Sequence, residues 1–199
     1  CKMKISAVKI LELNDKYNLI DGLSERELNN PEGSGIDLRV GQVHRIIGDS
    51  LLSADGTSRE RYSSKTELLG DIEKDGNKVI VLKPGEYFLV TTIEVIHSPP
   101  EKIKYDNFFP EGYIIPKVWP RSSLQRGGIS FHATKTDPGY KGKLTFGIKN
   151  QGTENFTFEL GARMFNIEYE PVIGDINRSY SGQHQGGRVT SQGEKETQN

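Results

Sequence analysis

The second half of the chain alternates. In "KLTFGIKN" (143–150), Leu144, Phe146 and Ile148 fall on one side, and Thr145 and Gly147 on the other. That period of two is the signature of a half-buried β-strand. "NFTFEL" (155–160) repeats it with Phe156, Phe158 and Leu160, and "RMFNIEY" (163–169) with Phe165, Ile167 and Tyr169. "YFLVTTIEVI" (87–96) is rich in β-branched and aromatic residues and follows the turn signal Lys83-Pro84-Gly85. Short strands at regular spacing, with Gly/Pro turns between them, predict a mainly β domain: a sandwich, a jelly roll or a barrel.

The first third is less uniform. Residues 5–14 read equally as a short helix or a strand. "LSERELNN" (23–30) predicts a brief helix capped by Ser24, and "GSGIDLRVG" (33–41) a glycine turn feeding an alternating strand. Residues 50–78 are polar and aperiodic, which predicts an insertion or a long surface loop. From about residue 174 the chain becomes Gly- and Gln-rich, the composition of a disorder-prone tail. The expected organisation is therefore one β domain over 1–174 and a flexible tail over 175–199.

Composition narrows the class further. With 199 residues, 34% of them hydrophobic and 27% charged, the chain is long enough to bury a core without staples. A formal net charge of −1 provides no footprint for duplex DNA or an anionic membrane, although a local cation cluster would still serve a small anion. The single cysteine, Cys1, allows no intrachain disulfide and no cysteine-built zinc site. The apolar run in "CKMKISAVKILEL" is too short for a secretory leader, and no stretch approaches the roughly 20 apolar residues of a membrane span. The expected setting is cytoplasmic.

The candidate chemistry gathers in residues 121–150. "TDPGY" (136–140) is a turn sequence in which Asp137 would accept local backbone hydrogen bonds, and most such aspartates are structural. The functional alternative is a rigidly held carboxylate that orients a water or meets a metal. Tyr140 would then lie against a ligand rather than only against its neighbours. In "PRSSLQR" (120–126), Arg121 and Arg126 offer guanidinium forks, and Ser122 and Ser123 offer hydroxyls, a set suited to phosphate oxygens. His132 is a possible base, though a lone histidine beside a strand is more often structural. No Walker, GxSxG, HExxH or CxxC pattern is present.

Taken in order, "GIDLRVG" (35–41), "LKPGEYFLVTTIEVI" (82–96), "PRSSLQRGG" (120–128), "TDPGYKGKLTFGIKN" (136–150), "LGARMFNIEY" (160–169) and "YSGQHQGGRVTS" (180–191) resemble the dUTPase/dCTP deaminase superfamily. The resemblance implies a distorted β-barrel or jelly-roll subunit with short N-terminal helical elements, assembled as a homotrimer with active sites between subunits. It implies a deoxynucleoside triphosphate ligand, with Mg²⁺ on its phosphates. It also implies that the Gly-rich tail is a lid over the triphosphate, with Gln185, Arg188, Thr190 and Ser191 as its phosphate contacts.

The superfamily runs two reactions. The dUTPase reaction releases pyrophosphate from dUTP with a water oriented by the aspartate of D-x-x-Y-x-G, here Asp137. The deaminase reaction attacks the cytosine ring without zinc, using a glutamate ten residues after that aspartate and a serine of R-S-S. "RSSLQR", "KPGEYFL" and "GQHQGGR" resemble the deaminase branch, yet the tenth residue after Asp137 is Gly147, which offers no proton acceptor. Loss of a general acid/base typically lowers a rate by about 10²–10⁴-fold. The resemblance therefore implies a dUTP diphosphatase on a deaminase-like scaffold. Asp137 would orient the water, Ser122 would join it in the catalytic set, and Arg121, Ser123, Arg126, His132 and Tyr140 would bind substrate.

Two departures bear on base choice: the segment between Arg126 and Asp137 is shorter than in deaminases, and Asn166 stands where the family usually has glutamine. The alternatives are a dCTP deaminase with a rearranged site and a non-catalytic dNTP-binding regulatory protein.

Overall fold

The computed structural model describes residues 4–54, 60–105 and 111–197; Cys1 and residues 55–59 of the polar stretch lie outside them. Among these residues the ambiguous start is a helix, α1 (Ala7–Tyr17). Ser6 caps it by accepting from the Lys9 amide at 3.2 Å, and Ala7, Ile10 and Leu13 are buried along one face. The chain then forms β1 (Ile20–Asp21) and α2 (Glu25–Asn29). Ser24 does stand at the N-cap of α2, but its side chain makes no capping hydrogen bond. The helix instead positions Glu27, 2% exposed, to accept from the Asp37 amide at 3.0 Å.

The long strand β2 (Ile36–Ile46) is the seam of the fold. It is followed by β3 (Glu60–Arg61), β4 (Thr66–Asp71), α3 (Ile72–Asp75), β5 (Val79–Leu82) and β6 (Tyr87–His97). The second half adds β7 (Tyr113–Pro120), α4 (Ser122–Arg126), β8 (Ile129–His132) and β9 (Lys141–Asn150). It ends with β10 (Phe156–Glu159), β11 (Arg163–Val172) and β12 (Glu196–Thr197). The main sheet has eight strands in the order β7-β11-β2-β6-β9-β8, with β1 added to β6 and β4 to β2. It curls into a nearly closed, barrel-like structure, so the mainly β reading holds. Two antiparallel ribbons, β5–β10 and β3–β12, complete the pairing.

Part of the polar stretch is not a loop. β4 pairs with β2 in the register Gln42↔Asp71 through Ile46↔Thr66. The backbone ladder holds this strand: Leu68 is 43% exposed, Leu69 is only partly buried against the core, and the side-chain pattern alone did not mark it.

The alternating strands bury the predicted faces. Phe146 and Phe165 meet at 4.7 Å between ring centroids, and Phe131 joins them at 5.1 and 5.7 Å. Such pairs contribute about 0.5–1.5 kcal/mol beyond area burial. Tyr169 is fully buried and donates its hydroxyl to the Leu19 carbonyl at 2.8 Å, tying β11 to the chain after α1. The Lys83-Pro84-Gly85 turn forms as expected: Gly85 adopts φ 82°, and the Glu86 amide donates to the Lys83 carbonyl at 3.1 Å. No helix among the described residues is long and apolar enough to cross a membrane.

Candidate active site

The hairpin of β8 and β9 opens at one point. Its ladder runs from Ile129↔Asn150 to His132↔Gly147. Residues 133–137 then leave β9, and the edge of β9 over residues 144–146 lines a cavity of about 410 Å³. Thr134, Lys135, Thr136 and Asp137 form one wall, Pro116 and Val118 of β7 contribute another, and Tyr180, His184, Arg188 and Val189 of the tail close over it. Its charged or titratable side chains are Lys135, Asp137, Tyr140, Tyr180, His184 and Arg188; Asp137 is the one carboxylate.

Asp137 is held by its turn rather than through its side chain. Its carbonyl accepts from the Tyr140 amide at 3.2 Å, and Gly139 supplies φ 97° while donating to the Ser98 carbonyl at 2.6 Å. Among the described residues the carboxylate takes none of the local backbone hydrogen bonds expected of a structural turn aspartate. It meets the Lys135 ammonium at 2.6 Å, and its side chain is 44% exposed. Tyr140 is 7% exposed and donates to the Lys143 carbonyl at 2.7 Å; burial pushes its phenol up to about 12.

The tail lies along this loop. The Tyr180 ring meets that of Tyr140 edge-on at 5.6 Å, and the Tyr180 amide donates to the Pro138 carbonyl at 2.7 Å. Gln185 accepts from the Lys141 amide at 3.1 Å and donates to the Gly139 carbonyl at 2.9 Å. Arg188 lines the cavity, donates to the Thr190 carbonyl at 3.1 Å and pairs with Glu196. Thr190 and Ser191, 7% and 2% exposed, are outside the cavity lining. Ser191 binds residue 63 instead: its hydroxyl accepts from the Ser63 amide at 2.8 Å, and its amide donates to the Ser63 hydroxyl at 2.6 Å.

The R-S-S segment lies elsewhere. Arg121 and Ser122 line a second, shallow depression with Asp37, Trp119, Asn166 and Glu168. Asp37 organises it, meeting Arg121 at 2.7 Å and Arg163 at 3.1 Å, and accepting from the Asn166 amide group at 3.0 Å. Ser123 and Arg126 are exposed on α4. Ser122 and Asp137, paired as catalytic in the sequence reading, thus line different depressions of one chain.

His132 ends β8, opposite Gly147. Its ring lies 5.8 Å from that of Tyr87. A Cβ built on Gly147 would fall on the Tyr87 hydroxyl and come within 2.6 Å of its ring carbon Cζ. Tyr87 therefore fills the space a side chain at 147 would need, and burial pushes its phenol above the ordinary range. Sequence reasoning did not find Tyr87, because no local pattern marks a contact made diagonally across two strands. It also left out Asp37, although "GIDLRVG" was already distinctive; Lys135, Thr145 and His184 carried no signal.

A family model described as dCTP deaminase-like matches residues 5–172. The chain is 31% identical over 152 residues to a probable deoxyuridine 5'-triphosphate nucleotidohydrolase of Methanothermobacter thermautotrophicus, covering 76% of this chain and 85% of that protein. It is 29% identical over 174 residues to a dUMP-forming dCTP deaminase of Methanosphaera stadtmanae, covering 84% and 78%. Among solved structures, the 2'-deoxycytidine 5'-triphosphate deaminase of Agrobacterium tumefaciens superposes with a TM-score of 0.57 at 17% identity. That match covers 84% of this chain and 47% of the other, and it speaks for the fold.

Proposed function

Since the chain belongs to the dCTP deaminase-like family of the dUTPase/dCTP deaminase superfamily, we propose that it is a dUTP diphosphatase, forming dUMP and pyrophosphate. The observation that carries this reading is the carboxylate inventory: Asp137 is the one carboxylate lining the cavity, and the space at Gly147 is filled by a protonated phenol. Water attack on phosphorus needs one oriented carboxylate. Deamination of a ring needs a group that shuttles protons between water and the leaving amine, and a tyrosine whose phenol is pushed upward is a poor acceptor near neutrality.

In the proposed reaction Asp137 accepts a proton from the attacking water while the water oxygen bonds to the α-phosphorus. The bond from that phosphorus to the bridging oxygen breaks, and pyrophosphate leaves with the electron pair. Lys135 keeps the carboxylate turned toward the cavity, and Arg188 and His184 face the phosphates from the tail. Tyr140, buried, anchored to Lys143 and lining the cavity, offers a flat wall for the deoxyribose to lie against.

Among the described residues no group of three or more His, Cys, Asp or Glu side chains could hold a metal. A site with a single carboxylate fits Mg²⁺ carried mainly by phosphates and water. Asp137 would be the cavity residue to hold such an ion, and the chemistry the ion would supply is neutralisation of charge on the leaving pyrophosphate. Arg121 and Ser122, displaced from Asp137 within one chain, join it from a neighbouring copy in the proposed homotrimer.

The test is incubation with dUTP and with dCTP plus Mg²⁺, following pyrophosphate and ammonia separately. Pyrophosphate from dUTP with no ammonia from dCTP is expected. Ammonia from dCTP refutes the reading and favours a rearranged deaminase; tight binding with neither product favours a non-catalytic nucleotide-binding protein.

A further inference from the structure

Lys135 and Arg188, which line the cavity, are both engaged already. Lys135 pairs with Asp137, and the Arg188 guanidinium is taken up within the tail. Its Nε donates to the Thr190 carbonyl at 3.1 Å, one Nη pairs with the Glu196 carboxylate, and the other lies 3.8 Å from Glu194. The Glu194 side chain is 80% exposed, so water screens it and its share is small. Glu196 differs: its side chain is 23% exposed, and its backbone is fixed by the ribbon of β12 on β3, in the register Glu196↔Arg61. A carboxylate outside the cavity lining thus holds a guanidinium that belongs to the lining. A phosphate chain entering the cavity meets a cation that already has its anion.

Taking Arg188 away would be costly if it left the part-buried carboxylate without a cation. The ribbon supplies a second one. Residues directly opposite in an antiparallel ladder point to the same face, with Cβ atoms about 4.5–5.5 Å apart, which sets Arg61 beside Glu196. Among the described residues, Arg61 Nε and Glu196 Oε2 are both buried and both lack a hydrogen-bond partner. Unmet buried polar atoms are uncommon, and here a donor and an acceptor of opposite charge stand on facing residues. Each completes the other once Glu196 turns from Arg188.

We infer that Glu196 is a two-position switch on Arg188. In the empty protein it occupies the guanidinium. When a phosphate chain takes Arg188, the carboxylate turns to Arg61, so neither charge is left unpaired. The inference rests on the reading of the cavity as a phosphate site and adds the group with which the phosphates compete.

Calorimetry with inorganic tripolyphosphate reads the switch without a base and without turnover. Glu196→Gln removes the competitor and should tighten binding about two- to fivefold, the worth of an ion pair near the surface. Arg61→Gln removes the alternative partner and should weaken binding by a similar factor. Added to Glu196→Gln, it should have no further effect, because the carboxylate that Arg61 receives is gone. Long-range attraction between Arg61 and the anion would instead weaken binding equally in both backgrounds. That result, weaker or unchanged binding in Glu196→Gln, or no tripolyphosphate binding by the wild type overturns the inference. Hydrogen exchange at the Ser191 and Gly193 amides checks that the tail stays docked on residues 60–66 in each variant. If glutamine unseats it, Glu196→Asp, one methylene shorter at the same ladder position, carries the same expectation. Pyrophosphate release from dUTP is measured in parallel, so failure of the hydrolase reading shows there and leaves the binding cycle to decide the role of Glu196.

Discussion

Replacing Ser191 by alanine should release the tail. Ser191 is 2% exposed, and its hydroxyl is the acceptor for the Ser63 amide at 2.8 Å. The same junction includes the Ser191 amide on the Ser63 hydroxyl at 2.6 Å and the Gly193 amide on the Ser63 carbonyl at 2.9 Å. Gln192 adds two more bonds, accepting from the Thr66 amide at 3.0 Å and donating to the Thr66 hydroxyl at 2.7 Å. Alanine deletes the acceptor and leaves the part-buried Ser63 amide without a partner, a loss of about 1–3 kcal/mol. Since 1.4 kcal/mol is a factor of ten, opening of the tail should become about 5- to 150-fold more frequent. The tail is tied down mainly by such hydrogen bonds, so it belongs to the low-stability part of the molecule and opens without global unfolding.

Native-state hydrogen exchange reads this directly. The Ser191 and Gly193 amides should lose protection by that factor, while the Phe146 amide in the core ladder of β9 should keep its own. Because Arg188 and His184 face the cavity from the same tail, KM for dUTP should rise in the variant. Unchanged protection at Ser191 and Gly193 would refute the idea that residues 60–66 hold the tail down.

Two further outcomes are expected. Asp137→Asn should lower pyrophosphate release from dUTP by about 10²–10⁴-fold while nucleotide binding survives in calorimetry, and retained turnover would remove Asp137 from the chemistry. His44, 9% exposed, is held below its ordinary range by burial, with the nearby Asp71 opposing. A depressed folded-state value means that the unfolded chain binds a proton first as pH falls. Stability from the neutral ring is therefore complete above about 6.5 and lost as pH drops through that value toward the folded one. The urea midpoint should accordingly fall between about pH 7 and 5, and His44→Gln should flatten that slope; an unchanged slope would exclude His44 as its source.

The sequence by itself determined the features that depend on neighbours along the chain. Alternation set the buried faces of residues 143–150, 155–160 and 163–169, because side chains of a strand change sides at every residue whatever the strand pairs with. Turn chemistry placed the bends at Lys83-Pro84-Gly85 and Asp137-Pro138-Gly139, since the φ angles those bends need suit few other residues. The order of six short segments carried the family.

Only the tertiary structure decided what depends on residues far apart. β4 was hidden in polar sequence because its ladder to β2 is made by backbone groups, which every sequence carries. The R-S-S segment and Asp137 were read as one site, but α4 and the loop before β9 put them in separate depressions of a single chain. Thr190 and Ser191 were read as phosphate contacts and are buried out of the cavity, with Ser191 bonded to Ser63, a partner 128 residues away. Gly147 was read as a missing carboxylate; its seat holds the ring of Tyr87, brought there by a diagonal contact between strands that no local pattern specifies.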